Sequence, residues 1–494
     1  MLFNSFPFIF CFLPLAVLGF YLLGRFSHQL AGLWLCAASL YFYSQWNSHY
    51  VWLLLISITV NYGFGYGIAR LGHSRARALL IVAIVFNLLL LGYYKYAGFF
   101  IHAFDSVLGT GWSLGQIILP LGISFFTFTQ ITFLVDSYKG KAREYNFVHY
   151  LLFVTYFPHL IAGPILHHAQ MMPQFALRQT YRINWENKTR GLMVFTVGLA
   201  KKILLADTFS AYVTPVFDSA HTGATPLLLE SWIAVLAFAL QLYFDFSGYC
   251  DMAVGISYLF NIKLPLNFNS PYKAANIIDF WRRWHMTLSA FLRDYLYIPL
   301  GGNRHGKARR WFNVMATMLL GGLWHGAGWT FVIWGGLHGI YLVINHAFQN
   351  LRQRMGWDEG RWGWRGRILS TAATFLAVTV AWVFFRSPDL KTAGHMLSGM
   401  IGGNPLTWHA KTHLDHYFSV YFGLLAVWLL PNTQQWLRLR QGDEKEPGLK
   451  SEPSGWLEWN PDRWWNWVLP GIVLAIAILM LTNGKPSEFL YFQF

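Results

Sequence analysis

Charged residues are scarce in this chain of 494 residues: Asp, Glu, Lys and Arg make up 12% of it, whereas 55% of its residues are hydrophobic. Soluble domains normally carry about a quarter charged residues, so a soluble globular protein is excluded. Apolar runs close to the ~20 residues that a helix needs to cross a bilayer recur along the chain, for example in residues 6–24 and 51–69. The sequence therefore predicts an all-α polytopic membrane protein.

Cysteine is almost absent, with residues only at positions 11, 36 and 250. Two of them lie in apolar runs, and no CxxC or other paired spacing occurs. This pattern argues against a disulfide framework and against a cysteine-ligated metal site. We expect no metal and no bound cofactor.

Acidic residues are outnumbered by basic ones, 22 against 37, which leaves a net charge of +15. The basic residues gather between apolar runs, whereas residues 103–115 and 216–226 contain none. This asymmetry follows the positive-inside rule and does not indicate nucleic-acid binding. It predicts that both chain termini are extracytoplasmic and that the basic segments are cytoplasmic, namely residues 70–77, 139–143, 304–310 and 352–367.

Internal repeats are not apparent either. A transporter or flippase, which is one alternative for a polytopic protein with polar residues in its spans, typically shows two related halves. A haem or copper enzyme, the second alternative, needs several histidines at helical offsets around one cofactor. His325 and His338 are instead thirteen residues apart, with Gly335 and Gly336 between them. The sequence favours neither alternative.

The middle of the chain is rich in residues that interrupt helices. Between residues 241 and 346, prolines 265, 271 and 299 break the apolar pattern into short pieces. Irregular backbone at membrane depth is tolerated only where protein buries it or where it lines a water-filled cavity. We therefore expect this segment to form the wall of an internal cavity.

Two histidines in this region are candidates for chemistry. His325 lies in a stretch without charged residues, and small and bulky neighbours such as Gly326, Trp324 and Trp329 outline an apolar slot around it. An ionisable side chain in a membrane interior is costly and indicates function, and histidine can exchange a proton near neutral pH. A hydrogen-bonded structural histidine is the alternative for His325 and also for His285.

Six segments in this order resemble the motifs of the membrane-bound O-acyltransferases, and most closely those of the bacterial branch typified by alginate O-acetyltransferase. The strong match covers roughly residues 119 to 345, and its six segments are LPLGISFFTFTQITFLVD, FPHLIAGPILHH, GLAKKILLAD, FDFSGYCDMAVG, FWRRWHMTLSAFLRDYLYIPLGG and LGGLWHGAGWTF. The resemblance implies that His325 is the catalytic histidine and His285 the second motif histidine. It also implies a ring of about 11 or more transmembrane helices, with short re-entrant helices, around a central tunnel.

This family resemblance divides the chain into three regions. Residues 1–115 are expected to form N-terminal transmembrane helices, 116–350 the catalytic core, and 351–494 C-terminal helices. The last region would include a cytoplasmic polar loop near 432–465 and an extracytoplasmic tail, 487–494. The resemblance implies a location in the bacterial inner membrane.

Acyl transfer from a thioester to a hydroxyl needs a base, a donor for the developing oxyanion, and exclusion of water. His325 can act as the base, while Asn276, Asp279 and His285 are candidates for orienting the reactants. Acetyl-CoA, the expected donor, carries phosphates that would meet a cationic cytoplasmic mouth. The residues expected there are Arg282, Arg283, Arg293, Arg304, Lys307, Arg309 and Arg310, each of which is alternatively only a topology signal.

The expected reaction is O-acetylation of an extracytoplasmic polysaccharide such as alginate, cellulose or peptidoglycan. Its partners would be the lipid bilayer, a periplasmic SGNH-type acetyltransferase or acetyl-relay protein, and a polysaccharide biosynthesis complex. D-alanyl transfer to teichoic acid is the alternative within the family.

The chain ends in SEFLYFQF, in which Tyr491 supplies the single hydroxyl among the last six residues. We expect this tail to enter the tunnel mouth, to accept the acetyl group on Tyr491 beside His325, and to withdraw with it. An interfacial anchor is the alternative, because Phe and Tyr favour the membrane boundary.

Overall fold

The computed structural model describes residues 1–112, 114–115, 117–142, 146–356, 363–403, 414–439, 465–483 and 487–490. All regular secondary structure in these ranges is helical, which confirms the predicted fold class. The α-helices are α1 (Leu13–Gly24), α2 (His28–Ser44), α3 (His49–Arg70), α4 (His73–Leu91), α5 (Ala97–Leu108), α6 (Ile123–Tyr138), α7 (Phe147–Thr155), α8 (Phe157–Leu160), α9 (His168–Ala176), α10 (Trp185–Ala200), α11 (Asp207–His221), α12 (Leu228–Leu259), α13 (Ile277–Trp281), α14 (Met286–Leu292), α15 (Gly306–His325), α16 (Trp329–Arg354), α17 (Gly363–Arg386), α18 (Leu390–Met400), α19 (Leu414–Leu429), α20 (Thr433–Trp436) and α21 (Trp465–Asn483).

Several of these helices are long and apolar enough to cross a membrane. Among the described residues there are six: Pro7–Gly24, His49–Arg70, His73–Leu108, Leu228–Leu259, Trp329–Arg354 and Gly363–Arg386. Two shorter apolar helices, His416–Leu429 and Trp467–Thr482, accompany them. The chain is therefore a multi-pass membrane protein, whereas the expected number of about eleven crossings stays a prediction.

Wider π-helical turns interrupt the α-helical pattern at Pro7–Phe12, Gly92–Tyr96, Lys201–Ala206 and Arg293–Tyr297. Such turns shift the direction of side chains and are frequent at functional sites. Two of them carry basic side chains towards the interior, because Lys95 reaches the end of α15 and Lys202 reaches α12.

Helix α12 is the central element of the fold, and 89% of its most apolar window is buried inside the protein. It packs closely against α10 through glycines. A Cβ atom on Gly198 would lie 2.6 Å from the carbonyl oxygen of Gly248, a distance that no side chain tolerates. Small residues allow membrane helices to approach in this way. The close contact fixes the position of α12 beside the π-helical turn that carries Lys202.

Helices α15 and α16 form a tight hairpin that presents His325. A Cβ atom on Gly322 would lie 2.3 Å from the carbonyl oxygen of Phe331 and 3.1 Å from Cα of Gly335. Helix α15 ends at His325, where the backbone turns to an extended conformation at Gly326. The glycine contact thus holds the end of α15, and with it His325, against the start of α16.

The segment between α12 and α14 is irregular, as the prolines predicted. Apart from a short 3₁₀ turn at Pro271–Lys273 and the five-residue α13, residues 261–285 form no helix. Leu266, Asn267 and Phe268 from this segment line a cavity. The prediction that broken backbone forms a cavity wall is confirmed for these residues.

Candidate active site

His325 lies at the C-terminal end of α15 and is 5% exposed. Its ring meets those of Trp334 and Phe385 edge to face, with centroid distances of 5.0 and 5.3 Å. The neighbouring Trp324 ring lies 4.9 Å away. An apolar enclosure of this kind favours a neutral imidazole, because burial penalises the charged form. A neutral imidazole is the form that can accept a proton.

Lys95 lies beside this histidine and was not singled out in the sequence. Its Nζ donates hydrogen bonds to the carbonyl oxygens of Trp324 at 2.6 Å and His325 at 3.2 Å. The last carbonyls of a helix lack partners within the helix, and a cation is favourable at this end of the helix dipole. Lys95 therefore holds the end of α15 in place. The sequence feature that could have identified Lys95 was the presence of a lysine within an otherwise apolar span.

His285 is fully buried and has a left-handed backbone conformation, with φ of 42°. Such a conformation is strained for a residue with a side chain and is concentrated at functional sites. The ring nitrogen Nδ1 lies 3.0 Å from Oδ1 of Asn267. An amide oxygen only accepts, so Nδ1 of His285 is the donor and Nε2 carries the lone pair.

A single oxygen atom of Asn267, Oδ1, binds both His285 and Thr287 at the start of α14. Its Oδ1 also accepts from the backbone nitrogen of Thr287 at 3.2 Å and from Thr287 Oγ1 at 3.0 Å. Three donors from two residues thus converge on a side chain that is 2% exposed. Asn267 is a second residue that the sequence analysis missed, although it lies in the irregular segment that was predicted to line a cavity.

Trp324 brings the two histidines into one cluster. Its ring centroid is 4.9 Å from that of His325 and 6.1 Å from that of His285. On the other side of His285, the ring of Phe246 from α12 lies 4.8 Å away, edge to face. The structure therefore brings together the two histidines that the sequence analysis selected.

His338 joins the same aromatic cluster from α16 and is fully buried. Its ring centroid is 4.8 Å from that of Trp334, which also contacts His325, and 5.1 Å from that of Trp281. Neither ring nitrogen has a hydrogen-bond partner among the described residues. The sequence analysis mentioned His338 only in arguing against a haem site, yet a histidine in an apolar helix was itself a signal.

Two cavities approach the histidines from different parts of the fold. One, which we call the His325 cavity, is lined by His325, Trp324, Lys95 and Trp46 together with the loop that precedes α6. The other, the Asn267 cavity, lies between Asn267 and the segment that follows α19. Asn267, which lines the second cavity, accepts a hydrogen bond from His285, so this cavity lies one residue away from the histidine pair.

The other predicted orienting residues have local partners. Asn276 caps α13 by accepting from the backbone nitrogen of Asp279 at 2.9 Å. Asp279 forms an ion pair with Arg283 at 2.9 Å. Trp329 is 57% exposed, and its ring contacts that of Phe99 rather than that of His325. Their expected roles in orienting reactants stay predictions.

Some residues of the predicted basic mouth are bound to neighbouring side chains and others have exposed side chains, and Arg293 has both properties. Arg283 is paired with Asp279, Arg293 with Asp294, and Arg310 donates to the ring of His346. The residues with exposed side chains are Arg282, Arg293, Arg304, Lys307 and Arg309. Arg304, Lys307 and Arg309 lie together at the start of α15 and just before it, which makes them the strongest candidates for attracting an anionic donor.

Tyr491 lies outside the described residues, but the residues before it are described. Phe489 is 1% and Leu490 8% exposed. Both side chains are therefore buried within the protein, whereas an interfacial anchor would leave them facing the membrane boundary.

Replacement of Asn267 by alanine is expected to destabilise the protein more than replacement of Asn276. Asn267→Ala leaves up to three buried donors without their acceptor, and each costs about 1–3 kcal/mol. Asn276→Ala removes one helix cap, which costs about 1 kcal/mol. Thermal unfolding of both variants in detergent checks this difference. Equal midpoints would show that Asn267 does not hold the histidine corner.

A family model described as the membrane-bound O-acyltransferase family matches residues 129–385. A peptidoglycan O-acetyltransferase of Helicobacter pylori is 43% identical over 100% of this chain and 98% of its own length. A probable alginate O-acetylase, AlgI, of Pseudomonas aeruginosa is 34% identical over the full length of both chains. A teichoic acid D-alanyltransferase of Bacillus subtilis is 28% identical over 55% of this chain and 69% of its own length.

The matched range contains α15 and the whole histidine cluster, and the peptidoglycan O-acetyltransferase and the alginate O-acetylase named above align with the complete chain. These matches agree with the buried histidine pair, of which His325 borders a cavity. The chain belongs to the membrane-bound O-acyltransferase family.

Proposed function

We propose that this acyltransferase moves an acetyl group from a cytoplasmic thioester, acetyl-CoA, to an extracytoplasmic polysaccharide through Tyr491. The observation that carries the proposal is that buried His325 lines the His325 cavity, while its neighbour His285 binds Asn267, a residue of the Asn267 cavity. In the proposal the tail approaches His325 through the His325 cavity, and the donor approaches from the side of the Asn267 cavity. The names of the full-length relatives support O-acetylation, and peptidoglycan is the first polymer to test because its relative is 43% identical.

The orientation follows from the basic segments. Residues 103–115 carry no basic residue, so the loop that precedes α6 and the His325 cavity beside it face outwards. The Asn267 cavity then faces the cytoplasm. We assign the protein to the bacterial inner membrane, with the donor on the cytoplasmic side of the histidines and the polymer on the outer side.

His325 acts as the general base in the first transfer. A ring nitrogen takes the proton of the Tyr491 hydroxyl while the phenolic oxygen attacks the thioester carbonyl. The tetrahedral intermediate collapses, the C–S bond breaks, and the imidazolium returns the proton to the departing thiolate. The products are an acetyl ester on Tyr491 and free coenzyme A.

A second transfer passes the acetyl group to the polymer. A sugar hydroxyl attacks the ester carbonyl, and the Tyr491 phenol leaves with the proton. A phenol, with a pKa of ~10, is a better leaving group than an aliphatic alcohol. This step is assigned to a periplasmic partner of the SGNH acetyltransferase type or to an acetyl-relay protein within a polysaccharide biosynthesis complex.

The rings around His325 serve the reaction by excluding water. Trp324, Trp334 and Phe385 surround the imidazole, and a dry site protects the thioester and strengthens electrostatic interactions. Lys95 fixes the end of α15, so the imidazole is held in one place while the reactants enter.

Release of coenzyme A from [¹⁴C]acetyl-CoA by the purified protein tests this function. We expect label on the wild-type protein and on added polymer when the periplasmic partner is present. A D-alanyl carrier thioester, offered in the same assay, is expected to transfer nothing. Equal transfer by a His325→Ala protein would contradict the proposal.

Neutralising the exposed basic residues at the start of α15 is expected to weaken donor capture. The triple change Arg304→Gln, Lys307→Gln and Arg309→Gln should raise KM for acetyl-CoA and reduce its dependence on salt, with a smaller change in kcat. Steady-state kinetics at several salt concentrations provide the measurement.

The matched control removes equal charge elsewhere on the predicted cytoplasmic side. Arg70, Arg75 and Arg77 have exposed side chains around the connection between α3 and α4. Changing all three to glutamine should leave KM unaltered. If both triple variants show the same KM, the residues at α15 are topology signals alone. Cysteine labelling of loops excludes inversion of either variant.

A further inference from the structure

An ionic cluster, buried at Lys202 and Asp245 but partly exposed at Asp207, joins the π-helical turn after α10 and the first residue of α11 to α12. Nζ of Lys202 lies 2.7 Å from Oδ1 of Asp245 and 2.9 Å from Oδ1 of Asp207. The side chains of Lys202 and Asp245 are each 3% exposed. The neighbouring Lys201 forms its own ion pair with Asp251 at 2.6 Å. The cluster of Lys202, Asp207 and Asp245 therefore contains two carboxylates for one ammonium group.

The residues just before Tyr491 supply hydrogen-bond donors to the two carboxylates and an acceptor to the ammonium group. The backbone nitrogen of Leu490 donates to Oδ2 of Asp245 at 3.0 Å, and Oγ of Ser487 donates to Oδ2 of Asp207 at 2.7 Å. Nζ of Lys202 donates to the carbonyl oxygen of Glu488 at 2.9 Å. An ammonium group has three donors, and here the two carboxylates and this carbonyl occupy them. Hydrogen bonds to charged groups are the strong ones in a dry interior.

Aromatic and amide contacts close the same site around Phe489. Its ring meets that of Tyr249 on α12 edge to face at 4.7 Å, and Nζ of Lys202 lies 4.9 Å from its centroid. At the N-terminal end of the chain, Nδ2 of Asn4 donates to the carbonyl oxygen of Ser487 at 3.1 Å. Residues from three distant parts of the sequence thus hold residues 487–490.

The residues that bind the C-terminal segment are close in the fold to His285 and His325. Asp245, which binds the Leu490 nitrogen, precedes Phe246, whose ring is 4.8 Å from that of His285. Leu490 also belongs to the cluster of buried side chains that contains Trp334, a ring in contact with His325. Tyr491 is the next residue of the chain.

We propose that Lys202, Asp207 and Asp245 form a docking site for the chain's own C-terminal segment, which sets the reach of Tyr491 to His325. This inference rests on the proposed function, in which Tyr491 carries the acetyl group. The three residues are positioning residues, because they contact residues 487–490 and not the reacting atoms. Three of the four hydrogen bonds to the segment involve its backbone atoms, so the segment is recognised by its conformation as well as by its side chains.

The direct test removes one donor from the segment and leaves the ionic cluster intact. Leu490→Pro has no backbone N–H for Asp245, whereas the control Leu490→Ala retains it. We expect Leu490→Pro to increase hydrogen exchange in the C-terminal peptide at least tenfold and to lower polymer acetylation at least tenfold. Leu490→Ala should retain slow exchange and most of the acetylation. Both quantities are measured on the full-length protein, by mass spectrometry and by assay of the secreted polymer.

A second pair of variants tests the cluster itself. Lys202→Met should expose the C-terminal peptide to exchange, whereas Lys201→Met, which breaks the adjacent ion pair, should not. Should Lys202→Met fail to fold, the Leu490 pair decides the question alone. Slow exchange and full acetylation in Leu490→Pro would overturn the docking site.

The outcome for docking is separable from that for the proposed function. Tyr491→Phe keeps every contact of residues 487–490, so it should retain slow exchange while losing acetylation. If Tyr491→Phe acetylates normally, the role of Tyr491 fails. Fast exchange of the C-terminal peptide in the wild-type protein would overturn docking without affecting the role of His325.

Discussion

Replacement of His325 by alanine is expected to lower polymer acetylation by a factor of about 100 to 10,000, the range for loss of a general base. The imidazole is buried at the end of α15 and borders the cavity that also contains Lys95. The proposed mechanism assigns the removal of the hydroxyl proton to this imidazole. Acetyl groups on the isolated polymer, normalised to the amount of membrane protein, provide the measurement.

Protein amount and thermal stability must be followed in the same experiment. The contacts that fix the end of α15, from Lys95 to the carbonyl oxygens of Trp324 and His325, involve the backbone and survive the substitution. We therefore expect His325→Ala to insert and fold. Retention of more than about a tenth of the wild-type acetylation would rule out a general base at this position. His285→Ala is a useful comparison, because a large fall in its melting temperature would indicate that it supports packing.

Tyr491→Phe is expected to lose polymer acetylation as completely as His325→Ala. The substitution removes one oxygen atom, and with it the only nucleophile that the proposed mechanism places on the tail. The preceding residues keep their contacts, since Lys202 and Asp245 bind the segment at Glu488 and Leu490. The same polymer assay provides the measurement.

The control for this variant is another aromatic residue of the tail. Phe492→Leu alters the tail without touching the hydroxyl and should retain most of the acetylation. Wild-type acetylation by Tyr491→Phe would make the tail a structural segment and would require another acceptor for the acetyl group. Equal loss in both variants would indicate that the shape of the tail, rather than its hydroxyl, is what matters.

The sequence predicted the two histidines as candidates because an ionisable residue within an apolar stretch can be recognised from the sequence alone. His325 stands in an uncharged stretch, and the six motifs connect it with His285 before any coordinates are known. The structure adds that Trp324 lies between them. The irregular segment that contains Asn267 was predicted for the same local reason, since proline and polar residues interrupt helices wherever they occur.

The partners of the histidines could not be predicted in this way. Asn267 and Asn276 lie nine residues apart in one polar segment, and only the path of the backbone decides that Asn267 reaches His285 while Asn276 caps α13. Lys95 is more than 200 residues from the carbonyl oxygens that it binds. Contacts over such separations depend on helix packing, which local sequence patterns do not encode.

The tail shows the same division between local and long-range information. Its aromatic residues predicted contact with an apolar environment, but two environments, the membrane boundary and the protein interior, satisfy that pattern equally. The ionic cluster of Lys202, Asp207 and Asp245 distinguishes them, because it forms hydrogen bonds with the backbone of Glu488 and Leu490.

Mass spectrometry of the C-terminal peptide tests the central claim most directly. The full-length protein is incubated with acetyl-CoA in the absence of the periplasmic partner, so that the second transfer cannot proceed. We predict an added acetyl group on Tyr491 in the wild-type protein and none in His325→Ala. An unmodified Tyr491 in the wild-type protein, or equal acetylation of Tyr491 in both proteins, would contradict the transfer of acetyl from the thioester to the tail by His325.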